Sequence, residues 1–313
     1  MLPAPLKLLR PGDWVKNVFV LVPLVFWLAG DGRGEADAAT QVMQAVLTAV
    51  AFSLAGSGFY AINDALDAEE DRRHPVKRRR PVASGAIAPG TAAGIGAALV
   101  AASLVLAWWV RPAVLAVVGT YVALQVAYNA KLKRVRLVDV STVATGFVLR
   151  AIAGALAIGI EVSTWLVVVV FALTLFLGFV KRLGDLRAAE LARARGEGAD
   201  WRPRAGYDSA EDLNWLLAVT GSVTMMAYLV YSLSDHARGI FGVRATGFAL
   251  LAPLVFVVIH RMYLRANLGK ADSPVGAVVA DKGARAATVL FVSGVLAVLF
   301  WPPAAEALDA VFK

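Results

Sequence analysis

Nine long apolar segments, separated by short polar stretches, are the feature that most constrains how this chain can fold. A run of about 20 apolar residues is long enough to cross a bilayer as a helix, and a helix satisfies its own backbone hydrogen bonds in hydrocarbon. Hydrophobic residues make up 59% of the sequence, against roughly 45–50% in soluble domains. We therefore predict an all-α, polytopic membrane protein. The predicted helices span about residues 18–29, 41–62, 91–110, 113–129, 137–160, 164–180, 213–233, 240–262 and 284–301.

The charged residues lie between these segments and predict the orientation of the chain. We expect one integral-membrane domain over residues 1–313, with cytoplasmic polar loops at about 63–90 and 181–212. Most of the 31 basic residues fall on alternate connections. Because cytoplasmic loops carry an excess of Lys and Arg, we predict an inner (cytoplasmic) membrane protein whose N-terminus is cytoplasmic and whose C-terminus is outside.

The composition also excludes several kinds of site. The chain has no cysteine and three histidines, so thiolate chemistry is excluded and a histidine-built metal site is disfavoured. A formal net charge of +8 is compatible with nucleic acid or with anionic lipid. The basic residues lie on short connections between apolar segments, so we expect no nucleic-acid partner.

The polar stretch after the second predicted helix begins with acidic residues and ends with basic ones. Asn63, Asp67 and Asp71 are spaced four residues apart, with Asp64 beside them, and residues four apart share one face of a helix. Carboxylates that converge need a cation, and oxygen ligands completed by phosphate and water suit Mg²⁺. The basic run 77–80 would attract phosphate, so we predict a Mg²⁺–diphosphate site. The alternative is a solvated charged loop.

Polar clusters also end two other predicted helices on the same side. Each is compatible with simple anchoring at the membrane interface, but together with the acidic ladder they could close around one anionic ligand. The residues are Tyr128, Lys131 and Lys133 after the fourth helix, and Lys181, Arg182 and Asp185 after the sixth.

Arg150 lies within the fifth predicted helix. A charged residue inside a membrane helix is costly and faces the bundle interior or a cavity. The sequence leaves two partners open for it, Asp139 or a lipid phosphate.

The spacing NDxxDxxxD, which begins at Asn63, resembles the UbiA superfamily of membrane prenyltransferases. The resemblance implies a nine-transmembrane-helix bundle with catalytic cytoplasmic loops after the second and sixth helices. Four segments are similar to one branch of that superfamily, the decaprenyl-phosphate phosphoribosyltransferases. They are RPGDWVKN at 10–17, NDALDAEEDRRHPVKRRRP at 63–81, GFVLRAIAG at 146–154 and KRLGDL at 181–186.

The second motif also distinguishes the branches of the superfamily. Aromatic prenyltransferases usually carry DxxxD there, whereas this chain has Ala189 four residues after Asp185. The phosphoribosyl branch has a KRxxE-like element, in which Asp185 would replace the Glu.

This resemblance implies a Mg²⁺-dependent enzyme that transfers 5-phosphoribosyl from phosphoribosyl diphosphate to a polyprenyl (decaprenyl-type) phosphate and releases diphosphate. It also implies a role in cell-wall arabinan precursor synthesis and a homo-oligomer such as a trimer. By the same resemblance the metal ligands are Asn63, Asp67 and Asp71. The expected catalytic residues are Asp67, Asp71, Lys77 and Asp185. The expected substrate-binding residues are Lys16, Asn17, Asp64, Arg78, Arg80, Tyr128, Lys131, Lys133, Arg150, Lys181 and Arg182.

Two other functions remain open at this point. An aromatic prenyltransferase would use the same acids and Mg²⁺ for a polyprenyl diphosphate, but it needs fewer cations because its donor has no 5-phosphate. A transporter or a non-catalytic lipid-binding protein is less favoured, because transporters place charges near the bilayer midplane and this chain places nearly all of them at one face.

Overall fold

The computed structural model describes residues 3–30, 37–73, 77–196, 206–271 and 273–312, and within these ranges every regular element is a helix. Three short 3₁₀ turns accompany the α-helices, at Pro11–Asn17, Lys77–Arg79 and Leu132–Arg134. The α-helices are α1 Ala4–Leu9, α2 Val18–Ala29, α3 Ala38–Leu66, α4 Ala68–Arg73, α5 Pro89–Val110, α6 Pro112–Ala130, α7 Val138–Ala157, α8 Thr164–Ala194, α9 Ala210–Leu233, α10 Asp235–Phe241, α11 Arg244–Leu250, α12 Ala252–Asn267, α13 Pro274–Ala280, α14 Lys282–Phe300 and α15 Pro302–Phe312.

Nine helical segments of the described chain are long and apolar enough to cross a membrane. This confirms the predicted all-helical, multi-pass class and the predicted number of spans. The segments are Ala4–Ala29, Ala38–Leu66, Pro89–Val110, Pro112–Ala130, Val138–Ala157, Thr164–Ala194, Ala210–Leu233, Arg244–Asn267 and Lys282–Phe300.

Two predicted boundaries were wrong. The sixth helix does not end near Val180 but continues to Ala194, because its charged end is rich in strong helix formers and is supported by a hydrogen bond between Arg187 and Glu190. The eighth segment is not one helix from residue 240. Gly242 ends α10 in a positive-φ conformation, and a further break at Leu251 separates α11 from α12.

The predicted single domain with two polar loops stays a prediction. Residues 74–76 and 197–205, which belong to the predicted loops, lie outside the described residues. The chain divides into two compact units. The first unit comprises Met1–Leu28, Gly34–Lys131 and Gly146–Val162, and the second comprises Ala29–Arg33, Leu132–Thr145 and Ser163–Lys313.

Small residues let the helices of the first unit approach closely. Gly58 in α3 and Gly96 in α5 face each other, and a Cβ on either would lie 2.7 Å from the other's carbonyl oxygen. Close approach through small residues is how membrane helices gain packing without a hydrophobic driving force. Nearby, the ring of Phe52 packs against Tyr121 at a centroid distance of 5.2 Å.

The second unit has its own core, in which aromatic and aliphatic side chains from α8, α9 and α12 are fully buried. Phe176 and Leu183 of α8 pack with Leu217 of α9 and Met262 of α12. Gly184 lies against Ala271, where a Cβ would be 2.9 Å from the alanine Cβ. The core therefore extends along α8 beyond the apolar part of its sequence.

Gly154 provides a test of close packing in the first unit. A Cβ at this position would overlap the carbonyl oxygen of Val20 and lie 2.8 Å from its carbonyl carbon. Because backbone atoms cannot move aside as a flexible side chain does, we expect Gly154→Ala to destabilise the protein by about 1–3 kcal/mol. Thermal unfolding in detergent measures this. Gly94→Ala is the matched control, since its Cβ would meet nothing within 4 Å. Equal unfolding midpoints for the two variants would contradict the packing argument.

Candidate active site

The acidic ladder lies at the junction of α3 and α4. The amide of Asp67 donates to the carbonyl of Asn63 at 2.9 Å, and the amide of Asp71 donates to the carbonyl of Asp67 at 2.8 Å. These are helical hydrogen bonds, so the three residues follow one another along one face although α3 ends at Leu66. The spacing argument from the sequence therefore holds for the backbone.

Arg80 joins two buried carboxylates of this segment. Its Nη1 lies 2.6 Å from Oδ2 of Asp71 and 3.2 Å from Oδ1 of Asp64, and both acids are 2% exposed. Lys77 approaches Asp71 from its other oxygen, at 3.8 Å. Two carboxylates this close repel each other unless a cation lies between them. Asp64 and Asp71 therefore share Arg80 as a partner. Asp71 belongs to the predicted ladder, whereas Asp64 lies beside it.

Arg10 is a member of this site that sequence reasoning assigned only to membrane topology. Its Nη2 lies 2.6 Å from Oδ1 of Asp64, and its guanidinium carbon lies 4.5 Å from the ring centre of Tyr60. Arg10 has a left-handed backbone with φ 49°, which is uncommon for a residue other than glycine. Strained residues of this kind cluster at functional sites. The RPG sequence, which marks a turn, was the available signal.

Lys16 lies next to the same tyrosine. Its Nζ donates to the Tyr60 hydroxyl at 3.1 Å and pairs with Asp13 at 2.5 Å. The first unit therefore gathers Arg10, Lys16, Lys77 and Arg80 near the C-terminal end of α3, and their predicted role in binding phosphate stays a prediction. Arg78, which was also predicted to bind substrate, is exposed.

Arg150 does not pair with Asp139, so that alternative was wrong. The two residues are eleven apart on α7, which places them about 16 Å apart along the helix axis, and this exceeds the reach of an arginine side chain. Arg150 is 7% exposed and donates to three neutral oxygens. They are Oδ1 of Asn17 at 2.8 Å, the carbonyl of Gly146 at 2.7 Å and the hydroxyl of Tyr121 at 3.1 Å.

In the second unit, Asp139 has different partners. It is fully buried, accepts from Arg182 Nη2 at 2.7 Å and accepts from the Tyr207 hydroxyl at 2.7 Å. The same hydroxyl accepts from the amide of Leu137 at 2.9 Å. Burial, and then the hydrogen bond to Asp139, raise the pKa of Tyr207, so the phenol stays protonated and donates to the carboxylate.

The remaining predicted site residues are placed as follows. Asp185 lies 3.5 Å from Lys181 and 3.8 Å from Arg182 within α8, so the KRLGDL segment forms its own ion pairs on one helix. Tyr128 lies in the last turn of α6, which ends at Ala130, Lys131 follows that helix directly, and Lys133 lies within the 3₁₀ turn Leu132–Arg134. Their roles, like those of all the predicted site residues, stay predictions.

The acids of the first unit fit Mg²⁺ better than they fit a metal held by the protein alone. Within the described residues, no group of three or more His, Asp or Glu side chains could hold a metal ion. Mg²⁺, however, keeps several waters and takes one or two carboxylates together with substrate phosphates. Asp67 and Asp71, with the side-chain amide of Asn63 on the same helical face, are two carboxylates and one further oxygen donor of the kind that such a site uses, and their role as ligands stays a prediction.

The family model described as "UbiA prenyltransferase family" matches residues 18–192. The chain belongs to this family. A solved structure of a UbiA homolog from Archaeoglobus fulgidus bound to GPP and Mg²⁺ superposes with a TM-score of 0.68 at 18% identity, covering 95% of this chain and 99% of that one. The likeness shows that this chain has the UbiA fold, which confirms the predicted bundle.

Two relatives share more sequence with this UbiA-family chain. Decaprenyl-phosphate phosphoribosyltransferase of Mycolicibacterium smegmatis is 40% identical over 191 residues, which are 61% of this chain and 59% of that enzyme. The Corynebacterium glutamicum protein of the same name is 36% identical over 240 residues, or 74% of this chain and 68% of the relative. The aligned part thus spans about three fifths to two thirds of these relatives.

The Arg80 bridge predicts a measurable loss of stability. Arg80→Gln removes the cation between Asp64 and Asp71 and leaves two buried acids facing each other. Removing one partner of a buried ion pair costs about 3–5 kcal/mol, and we expect about 2 kcal/mol here because Arg80 is 29% exposed. Thermal unfolding in detergent tests this, with the exposed neighbour Arg79→Gln as the control. Equal midpoints for the two variants would show that the bridge contributes nothing.

The two hydrogen bonds of the Tyr207 hydroxyl give a second prediction about stability. Tyr207→Phe leaves Asp139 with one donor fewer and the Leu137 amide without its acceptor, which is expected to cost about 1–3 kcal/mol. The control is Tyr263→Phe, a tyrosine that packs against the same apolar cluster. Denaturation at several pH values between 6 and 9 should give a constant difference, because the raised pKa of Tyr207 keeps it protonated throughout. A difference that vanished within this range would contradict the assignment.

Proposed function

We propose that this UbiA-family protein transfers the 5-phosphoribosyl group of phosphoribosyl diphosphate to a polyprenyl (decaprenyl-type) phosphate and releases diphosphate. The observation that carries the proposal is the convergence of Arg10, Lys77 and Arg80 on Asp64 and Asp71. A ribose donor carries a 5-phosphate in addition to its diphosphate, so it needs more cations than a prenyl diphosphate. The names of the relatives support the same activity.

The acidic ladder is proposed to bind the metal. Asn63, Asp67 and Asp71 would hold Mg²⁺, which, when bound, neutralises negative charge that develops on the leaving diphosphate. Lys77 and Arg80, together with Lys16 and Arg78, would bind diphosphate and 5-phosphate oxygens by charge-assisted hydrogen bonds. Groups placed in advance where charge develops act most strongly on the transition state.

The acceptor explains why histidine is scarce. A polyprenyl phosphate is already anionic near neutral pH, so its oxygen can attack ribose C1 without a general base. The bond from C1 to the acceptor phosphate oxygen forms, the bond from C1 to the diphosphate oxygen breaks, and the anomeric centre inverts. Positioning of the two substrates would carry most of the catalysis, while the prenyl tail stays between apolar helices and lipid.

The setting of the reaction is proposed from the distribution of charge. The N-terminus and the acidic ladder would face the cytoplasm, with the C-terminus outside, in the cytoplasmic membrane. The proposal is supported by the excess of basic residues on the same connections as the ladder. The product would serve cell-wall arabinan precursor synthesis, and a homo-oligomer such as a trimer is proposed by resemblance.

A second candidate is an aromatic prenyltransferase that uses a polyprenyl diphosphate at the same acids. The likeness to a UbiA homolog bound to GPP and Mg²⁺ favours it. One observation weighs against it: Ala189, where the aromatic enzymes usually carry their second motif's last acid, is 2% exposed. At that position α8 therefore has a buried methyl group in place of a carboxylate.

The decisive prediction concerns transfer activity. Purified protein with labelled phosphoribosyl diphosphate, polyprenyl phosphate and Mg²⁺ should move label into the organic phase, and EDTA should abolish this transfer. Asp67→Asn should lower the rate by about 100-fold, and it avoids the Arg80 ion pairs. Glu69→Gln, an exposed acid two residues away, is the control and should retain activity. Label that stays in the aqueous phase with every acceptor length would overturn the proposal, and prenyl transfer to an aromatic acceptor would then establish the second candidate.

A further inference from the structure

Arg150 is a buried cation of the first unit, and neutral groups of that unit surround its guanidinium. Each of its three side-chain nitrogens donates a hydrogen bond, and the acceptors are the neutral oxygens of Asn17, Gly146 and Tyr121. Among the described residues, no acid forms an ion pair with it. A charge placed in a membrane helix at such cost calls for a function.

Aromatic rings supply the compensation that a counter-ion would otherwise give. The guanidinium carbon lies 5.1 Å from the ring centre of Phe52, 4.7 Å from that of Tyr121 and 5.4 Å from that of Phe147. The negative faces of aromatic rings attract a guanidinium, most strongly where water is excluded. Arg150 is therefore held as a charged group in a fixed orientation.

Asn17 connects this cation to the candidate site. It is 5% exposed, accepts from Arg150 and donates to Oγ of Ser53 at 2.7 Å. Asn17 is the last residue of the 3₁₀ turn Pro11–Asn17, so Arg150 fixes the end of that turn. The preceding residue, Lys16, reaches the Tyr60 hydroxyl at 3.1 Å.

Tyr60 completes the connection. Arg10, at the start of the same turn, lies over the Tyr60 ring and pairs with Asp64. Lys16 and Arg10 thus meet on one aromatic side chain from the two ends of one turn. A displacement of Asn17 would move the neighbouring Lys16 away from the Tyr60 hydroxyl, next to which Arg10 pairs with Asp64.

We infer that Arg150 is a positioning residue, which fixes the turn Pro11–Asn17 through Asn17 and so sets where Lys16 meets the phosphates of the donor. The inference rests on the proposed function for the identity of the donor. It explains why two separate motifs, RPGDWVKN and GFVLRAIAG, occur in one chain. Gly146, in the second of these motifs, takes part in the same arrangement, because its carbonyl accepts a hydrogen bond from Nη1 of Arg150 at 2.7 Å.

This role differs from the substrate-binding role that was predicted for Arg150. All three of its nitrogens are engaged by protein oxygens, and only 7% of the residue is exposed. A group that bound a phosphate directly would have to give up some of these hydrogen bonds. The charge matters here for holding the arginine among aromatic rings, and the planar guanidinium matters for reaching three acceptors in different directions.

The kinetic test is a double-mutant cycle of Arg150→Met and Lys16→Gln, measured in the transfer assay. Arg150→Met should raise KM for phosphoribosyl diphosphate about 10-fold and change KM for the polyprenyl phosphate and kcat much less. The double variant should have the same KM for phosphoribosyl diphosphate as Lys16→Gln alone, because both substitutions remove the contact between Lys16 and the donor. Arg150→Lys should behave like Arg150→Met. Additive effects, or a Lys variant that retains donor binding, would show instead that Arg150 itself binds the donor.

A second measurement does not depend on catalysis. The chain has no cysteine, so a single nitroxide label can be attached at Val15→Cys, an exposed position within the turn (49% exposed). Adding Arg150→Met should increase the motion of this label and leave a label at Val105→Cys on α5 unchanged. Unchanged motion at position 15, or equal loosening at both positions, would overturn the positioning role. If the wild-type protein transfers no phosphoribosyl group, the proposed function fails while this measurement still decides the inference.

Discussion

A charged side chain that is buried among membrane helices needs partners within the protein, and this requirement determines much of the structure. Asp64 and Asp71 meet it by sharing Arg80, and Asp139 meets it with Arg182 and Tyr207. Burying an ion costs several kcal/mol even after relaxation, so each group fixes the helices that supply its partners. These polar contacts fix the positions of the helix ends relative to their partners. Apolar surfaces alone would not select one such arrangement, because they are not directional.

The sequence was sufficient for the number of membrane helices and for the backbone of the acidic ladder, because both depend on the local sequence. Hydropathy predicted nine spans, and a spacing of four predicted that Asp67 and Asp71 follow Asn63 along one face. Hydropathy failed at the end of α8, where the helix continues to Ala194 through charged and polar residues of high helix propensity. It failed again near Gly242, because a positive-φ break between apolar residues leaves hydropathy unchanged.

The partners of buried charges could not be predicted, since they depend on which distant segments meet. Tyr207 lies 68 residues from Asp139, and Arg150 lies 133 residues from Asn17. The neutral partners of Arg150 are harder still to predict, because an ion pair with an acid is the usual expectation for a buried arginine. Arg10 was overlooked for a related reason: a basic residue near a membrane helix has a sufficient explanation in topology, and only the left-handed turn at Arg10 directs it towards Asp64.

The arrangement around Arg80 also bears on how the proposed reaction could begin. Arg80 neutralises the two carboxylates that a Mg²⁺–diphosphate complex would approach. In the proposed function, Arg80 would transfer its hydrogen bond from Asp71 to diphosphate oxygens, and Asp71 would then be available to hold Mg²⁺, while Asp64 keeps its ion pair with Arg10. The buried negative charge then keeps a cationic partner throughout, which avoids the cost of two unpaired carboxylates. Arg10 would retain Asp64 in place during this exchange because its contact with Tyr60 is independent of Arg80. Arg80 is thus suited to exchange its partners, and Arg10 is suited to hold Asp64 in place during that exchange.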